Sequence, residues 1–271
     1  MGTILVVVFV MAGMAYTALR IVREEKASES DRKMFIAYFL SLSAWALFTS
    51  LLAIRNFYVD TSRLFTMDLG TFVPFAITGG FLTNKKARRS LTEWIVNVPL
   101  RQLTWVHVIR VAAIGAILKM WKGLMPAHFI VPVGIPDFLF GLSVPLMVWL
   151  VFKKRVIGKG VLIAWNAIGA LLFFPSMVLL YLSMPGPIQV FTDGPSTLEV
   201  FQFPMALVPT FLAPLFITIH SAAVYQLSRS PANSGEELLM EGRYIMNTKK
   251  ETKESEPPPK PSWFKKGRSR I

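Results

Sequence analysis

The sequence predicts an all-α membrane protein, a polytopic bundle of about seven transmembrane helices. Long apolar runs that are nearly free of charge alternate with short clusters of Lys and Arg along the 271 residues. Hydrophobic residues make up 53% of the chain and charged residues 17%, against roughly 45–50% and 25% in ordinary soluble domains. The mean hydropathy is +0.49. A helix in a soluble protein would need a polar face, and these runs have none.

The apolar runs are long enough to cross a bilayer, which takes about 20 helical residues. Seven segments reach or approach that length: 3–22, 34–54, 67–84, 102–122, 129–152, 160–183 and 205–228. The third is the weakest, because its uncharged part runs only from Leu69 to Asn84, and a re-entrant loop is the alternative there. Residues 1–229 therefore form the membrane domain, and 230–271 form a basic, Pro-containing tail that we expect to be disordered.

The positions of Lys and Arg predict the orientation, because cytoplasmic loops carry an excess of these residues. The loops after the first, third and fifth predicted spans, with the tail, hold most of them: Arg20, Arg23, Lys26, Arg32, Lys33, Lys85, Lys86, Arg88, Arg89, Arg101, Lys153, Lys154, Arg155, Lys159 and those from Arg229 to Arg270. The opposite loops hold only Arg55, Arg63, Lys119 and Lys122. We therefore expect the N-terminus outside and the tail in the cytoplasm, with the plasma membrane as the location.

Charge and composition also limit the partners. The net charge of +13 sits in loops between apolar spans, which indicates contact with anionic lipids rather than with nucleic acid. The tail can also recruit a protein partner. The chain has no cysteine, which excludes disulfides, thiolate metal sites and thiol catalysis.

The sequence also predicts where two segments outside the spans lie relative to the membrane. Residues 91–100 are expected along the cytoplasmic interface, because Trp94, Ile95 and Val96 can lie at headgroup level. Residues 184–204 form a long external loop, rich in Pro and Gly and large enough to cap a cavity.

Polar residues inside the spans are the candidates for a site, because ionisable groups in lipid are costly. They are His107, Arg110, Asp137, Asn166 and His220. At about 1.5 Å of rise per residue, Arg110 falls roughly 12 Å and Asp137 roughly 18 Å from the inner edge, and the other three roughly 7–9 Å. An Arg110–Asp137 pair near the midplane and a His/Asn/His layer below it are thus expected, in one pocket open to the cytoplasm.

Each candidate has a structural alternative. The Arg110–Asp137 pair either locks two helices together or handles a substrate or proton, and the histidines either form interhelical hydrogen bonds or take part in a site. No metal site is expected, and no cofactor, although a haem held between His107 and His220 is a minor alternative. The fifth span carries five residues that disturb helices around Asp137: Pro132, Gly134, Pro136, Gly141 and Pro145. Broken membrane helices often border binding sites.

Part of the chain resembles a known group of proteins. The resemblance lies in MPAHFIVPVGIPDFLFGLSVPLMVW, AWNAIGALLFF, SMPGPIQVF and FPMALVPTFLAPLFITIHSAAVYQL, over about residues 125–228. These segments are similar to uncharacterised small multi-pass membrane proteins of bacteria. The resemblance implies that Asp137, Asn166 and His220 lie within motifs, and it implies no activity.

Three functions are compatible with these residues. The leading hypothesis is binding or transport of a small or lipidic molecule in a polar pocket between spans four to seven, where Arg110 neutralises an anionic group and Asp137 couples through protonation. The first alternative is a membrane-embedded enzyme acting on a lipid or isoprenoid, with Asp137 as the acid and His107 or His220 as the base. The second alternative is a non-catalytic scaffold or accessory subunit.

The topology is testable with reporter fusions. Fusions at Ala87 and Val156 should report the cytoplasm, and fusions at Leu124 and Pro195 the outside, because the Lys and Arg bias alternates loop by loop. An outside signal at Ala87 would mean that the third span does not cross and that the count of seven is wrong.

Overall fold

The structure is a computed structural model that describes residues 28–59 and 66–230, with isolated helical positions between residues 4 and 16. Most of the first predicted span (3–22) lies outside the described residues, and so does the predicted disordered tail apart from Ser230. The described part contains helices and loops and no β-strand. The principal helices are α1 (Glu29–Ile54), α2 (Thr66–Thr83), α3 (Lys85–Asn97), α4 (Leu100–Trp121), α5 (Ala127–Lys153), α6 (Lys159–Leu182) and α7 (Val208–Arg229).

Five of these helices, α1 and α4 to α7, are long and apolar enough to cross a membrane. They coincide with the second and the fourth to seventh predicted spans, within a few residues at each end. Helix α2 occupies the third predicted span, but its apolar part, Leu69–Thr83, is shorter than the other five. The prediction of an all-α fold with apolar helices of membrane-spanning length is therefore confirmed for the described residues, while the count of seven and the orientation stay predictions.

Local sequence explains how α1 and α3 begin and how they meet. Ser28 and Asp31 form a capping box at the start of α1, which satisfies backbone N–H groups that have no partner within the helix. Asn84 caps α3 by accepting from the N–H groups of Lys86 and Ala87. The side chain of Ser90 on α3 donates to Asp31, so the cap of α1 also joins the two helices.

Helix α3 is amphipathic and packs on α1, α2 and α7. Ala87, Ser90 and Leu91 are buried on one face, and the cationic side chains of Lys86 and Arg89 are exposed on the other. The predicted interfacial segment is thus a helix that begins earlier than expected, at Lys85.

Helix α7 is the centre of the bundle. In its most apolar stretch 56% of the residues are buried, against 22–33% in the other four membrane-length helices, and it contacts α1, α2, α3, α4 and α6. Helix α5 packs mainly on α4.

Helices α4 and α5 are interrupted within the membrane-length stretch. The middle of α4, Val106–Ala113, is a 3-10 helix, which stacks side chains at positions i and i+3. In α5 a turn separates a first α-helical segment, which ends at Ile130, from a second that begins at Gly134. The break in α5 lies where the sequence predicts irregularity, whereas that in α4 was not predicted.

Helices α6 and α7 are also irregular. Helix α6 is broken at Leu172, three residues before Pro175, which has no N–H to continue the hydrogen bonding. Helix α7 starts with a π-helical segment, Val208–Leu212. The indole N–H of Trp45 on α1 donates to the carbonyl of Thr210 in this segment, at 3.0 Å, so α1 satisfies a backbone group of the irregular turn.

The contact between α4 and α5 depends on a glycine. A Cβ atom on Gly141 would lie 2.5 Å from the backbone nitrogen of Val111 and 2.9 Å from the carbonyl carbon of Arg110. Only a residue without a side chain permits this approach of two backbones.

The substitution Gly141→Ala should therefore lower the free energy of unfolding by about 1–3 kcal/mol or more, because backbone atoms must shift to admit the methyl group. The matched control is Gly79→Ala on α2, where an added Cβ meets nothing within 4 Å, and which should be neutral or slightly stabilising. Thermal melting in detergent measures both. Equal melting temperatures for the two variants would contradict the close approach of α4 and α5.

Candidate functional site

The predicted pair of Arg110 and Asp137 is present in the bundle. Nε of Arg110 donates to Oδ1 of Asp137 at 2.6 Å, and Nη2 lies 2.5 Å from the same oxygen. The Arg110 side chain is 1% exposed and that of Asp137 27% exposed. The pair therefore joins α4 to α5 with the arginine sealed inside and the carboxyl at the edge of open space.

The rest of the Arg110 guanidinium is also occupied. Nη1 donates to the backbone carbonyl of Gly169 at 3.1 Å and to Nε2 of His220 at 3.2 Å. The ring of Phe140 covers one region of the group, with its centroid 4.3 Å from Cζ, and the ring of Phe173 lies 4.6 Å away. Arg110 thus links α4 to α5, α6 and α7 together.

A directed chain of hydrogen bonds continues from Arg110. Arginine is only a donor, so Nε2 of His220 must accept, and the proton of a neutral imidazole then sits on Nδ1. That Nδ1 donates to Oδ1 of Asn166 at 3.0 Å, while Nδ2 of Asn166 donates to the carbonyl of Leu162 at 2.9 Å. In each of these four hydrogen bonds a donor meets an acceptor, from Arg110 to Gly169 and His220 and onward to Asn166 and Leu162, which fixes His220 as the neutral Nδ1–H tautomer.

His107 is buried beside this chain but not bonded to it. Its ring stacks on that of His220, with centroids 3.7 Å apart and planes 2° from parallel. Phe140, Trp165 and Phe216 surround it. Neither ring nitrogen of His107 has a hydrogen-bond partner among the described residues, so this histidine acts here as an aromatic packing residue.

Two local features bring the residues together. The 3-10 geometry of Val106–Ala113 aligns His107 with Arg110 three positions later. Gly169 makes room on α6, because a Cβ there would lie 2.4 Å from Phe140 and 2.5 Å from the ring of His220. The same residue therefore supplies a carbonyl to Arg110 and space for His220.

The histidine pair does not fit a haem. An iron ligated by both residues would lie between one nitrogen of each ring, with the porphyrin separating them, whereas these rings are in face-to-face contact. Both nitrogens of His220 are also engaged, with Arg110 and with Asn166. Within the described residues there is no group of three or more His, Cys, Asp or Glu residues placed to hold a metal ion.

A cavity of about 350 Å³ opens beside the Arg110–Asp137 pair, between α4, α5, α6 and α7. Its lining is mostly apolar, and its polar side chains are those of Arg110, Asp137, Lys119 and Ser176. It extends from the ion pair toward Lys119 and the segment 184–207. All four helices that border it are interrupted at this level.

The position of the cavity corrects the expected pocket. The sequence predicted that all five polar residues share one pocket open to the cytoplasm. The cavity instead lies on the other side of the ion pair, toward the end of the bundle that the Lys and Arg pattern predicts to be outside. His107, Asn166 and His220 are fully buried and do not line it. Only Arg110 and Asp137 belong to both the polar cluster and the cavity.

The loop between α6 and α7 covers the far end of the cavity. A short 3-10 helix, Thr197–Phe201, is held by the hydroxyl of Thr197, which donates to the carbonyl of Leu180 at 3.0 Å. Glu199 forms an ion pair with Lys119 of α4, and Val200 lines the cavity. The sequence indicated a loop able to cap a cavity but gave no sign of the Lys119–Glu199 pair. In the sequence, Lys119 was informative only as one of the few cations on the predicted outer side.

A family model described as "Domain of unknown function (DUF8737)" matches residues 66–228. The matched region contains α2 to α7 and therefore the whole polar cluster and cavity. No curated protein and no solved structure matches the chain. The similarity to bacterial multi-pass proteins stays a prediction.

The ion pair should show strong energetic coupling. Asp137→Asn leaves Arg110 buried without its counter-charge, which typically costs about 3–5 kcal/mol. The double change Arg110→Leu with Asp137→Leu removes both charges and should be more stable than either single leucine variant. Detergent melting of the wild type, both single leucine variants and the double variant gives the coupling energy.

The control cycle is Lys119→Leu with Glu199→Leu. Both of these side chains are about one third exposed, at 33% and 34%, so their coupling should be at most about 1 kcal/mol. Strictly additive losses at Arg110 and Asp137 would show that the two residues do not interact.

Proposed function

The chain belongs to the family of the domain of unknown function DUF8737, and we propose that it is a multi-pass membrane protein that binds or transports a small amphipathic molecule. The ligand occupies the cavity between α4 and α7, with its apolar part against the lining and its polar group at Arg110 and Asp137. This is the function that the geometry of the described residues supports best.

The observation that carries the proposal is an apolar cavity that ends on a buried ion pair. A helix lock alone needs no open space, yet both residues border the cavity, and the side chain of Asp137 is 27% exposed while that of Arg110 is 1% exposed. Small-molecule sites are concave and mostly apolar, with a few placed polar groups that orient the ligand. The Arg110–Asp137 pair matches that description at the inner end of the cavity.

The interrupted helices support the same proposal. Irregular backbone at membrane depth is tolerated where protein or a cavity receives the freed groups. Transporters place their sites at such breaks. Here the turn in α5, the 3-10 segment of α4, the break in α6 and the π-helical start of α7 all border one cavity.

The size of the cavity limits the ligand. Ligand pockets span about 300–1,000 Å³, so a volume of about 350 Å³ is at the lower end. A compact amphiphile with one short chain fits this space, and a phospholipid with two long chains does not.

The proposed topology places the cavity in the outer half of the membrane. With the N-terminus outside and the tail in the cytoplasm, seven spans put the segment 184–207 on the outer surface, where it covers the cavity. Access from that side requires the loop to move away from α4, which separates Lys119 from Glu199. The basic loops and tail then lie at the inner leaflet, where they contact anionic lipids.

The enzyme alternative has less support from the geometry. It needs a histidine base beside Asp137, but no histidine lines the cavity. His220 contacts Arg110 rather than Asp137, and both of its nitrogens are in use. The scaffold alternative depends on the tail, which lies outside the described residues.

The test is to fill the cavity without disturbing the fold. Gly115 lines the cavity, and an added Cβ there meets nothing within 4 Å, so Gly115→Leu should place a bulky side chain in the ligand's space. The matched control is Gly80→Leu on α2, which is equally open and remote from the cavity. Native mass spectrometry of the protein purified from membranes should show bound small molecules in the wild type and the control and a loss of about tenfold or more in Gly115→Leu.

Equal occupancy in all three proteins, or an empty wild type, would contradict a ligand in this cavity. Flux of the identified ligand into proteoliposomes then decides between binding and transport.

A further inference from the structure

Arg110 is immobilised on every side except one. Both N–H groups of Nη1 have acceptors, the carbonyl of Gly169 and Nε2 of His220. The rings of Phe140 and Phe173 both lie within 5 Å of the guanidinium carbon, at 4.3 and 4.6 Å. The edge formed by Nε and Nη2 is therefore the only part of the group that can exchange partners.

Asp137 occupies that edge incompletely. Nε and Nη2 both approach one oxygen, Oδ1, and Nη2 lacks an acceptor with hydrogen-bond geometry among the described residues. Arginine binds a carboxylate best with two parallel hydrogen bonds to two oxygens. The buried edge thus retains capacity for a second oxygen, and the Asp137 side chain that now occupies it lines the cavity.

The charges around the cavity require a proton to balance an added anion. Arg110 and Asp137 neutralise each other, Lys119 of α4 is paired with Glu199, and His220 of α7 is neutral because Nε2 accepts a hydrogen bond. Helix α6 contributes Ser176 but no titratable side chain to the lining. An anion that enters this apolar space leaves one uncompensated negative charge, which is costly.

From these contacts we propose the class of ligand and the ion that enters with it. The site takes a short-chain amphiphile with a monoanionic, two-oxygen headgroup, such as a carboxylate. This headgroup replaces Asp137 on the Nε–Nη2 edge of Arg110. Asp137 then takes up one proton, so that one anion and one proton enter together and the site remains neutral. This inference rests on the proposed function, and it deepens it by naming the headgroup and the coupled ion.

Three probes with the same alkyl chain separate the headgroup from the chain: octanoate, octanesulfonate and octanol. Octanesulfonate remains an anion at all working pH values, so any proton taken up when it binds is bound by the protein and not by the probe. Calorimetric titration of the full chain in lipid nanodiscs, in two buffers of different ionisation enthalpy, gives both affinity and protons bound. Both anions should bind with uptake of about one proton. The affinity for octanol should be about tenfold or more weaker, as expected for a lost charged hydrogen bond, and octanol should bind without proton uptake.

The double variant Arg110→Leu with Asp137→Leu is the matched comparison, because it removes both charges and keeps the cavity. It should show neither a preference for the anions over octanol nor proton uptake. If that variant fails to fold, the proton count of the wild type with octanesulfonate still decides.

The outcomes distinguish this inference from the function on which it rests. Binding of octanesulfonate without proton uptake, or octanol binding as tightly as the anions, would overturn the inference and leave the cavity a binding site. Failure of all three probes, together with an empty cavity in the purified protein, would overturn both.

Discussion

A guanidinium group buried at membrane depth is the constraint on which this part of the structure depends. Arg110 carries five N–H donors and a fixed positive charge, and lipid offers neither an acceptor nor a counter-charge. The protein supplies a carboxylate from α5, a carbonyl from α6 and an imidazole nitrogen from α7. Three helices therefore converge on one side chain of α4.

The requirements of Arg110 extend to residues whose side chains do not bond to it. Because Nε2 of His220 must accept, Nδ1 must donate, and the Oδ1 atom of Asn166 is placed to receive that proton. Gly169 lacks a side chain because His220 and Phe140 occupy that space. Gly141 lacks one because the backbones of α4 and α5 must approach for Asp137 to reach Arg110. Both the polar cluster and the close helix packing therefore serve to provide the buried Arg110 side chain with its partners.

The ion pair could be predicted from the sequence, because an isolated charge in lipid is costly and opposite charges at similar depth therefore pair. The sequence could not predict the 3-10 segment of α4, because Val106–Ala113 contains no proline or glycine to signal it. The uniform rise assumed for the spans also separated Arg110 from the His/Asn/His layer, whereas the structure joins them through His220. The sequence grouped all five polar residues in one pocket, whereas the cavity is lined by Arg110 and Asp137 and not by His107, Asn166 or His220, because open space depends on side-chain packing among α4 to α7 rather than on the depth of polar residues.

The central claim is that Asp137 is the exchangeable partner of Arg110. Difference infrared spectroscopy on binding of octanesulfonate tests it directly, because a protonated carboxyl group has its own C=O stretching band and the probe contains no carboxyl. We expect this band to appear when the probe binds to the wild type and to be absent in Asp137→Asn. Binding of the probe with Asp137 still ionised, and hence without the band, would contradict the account.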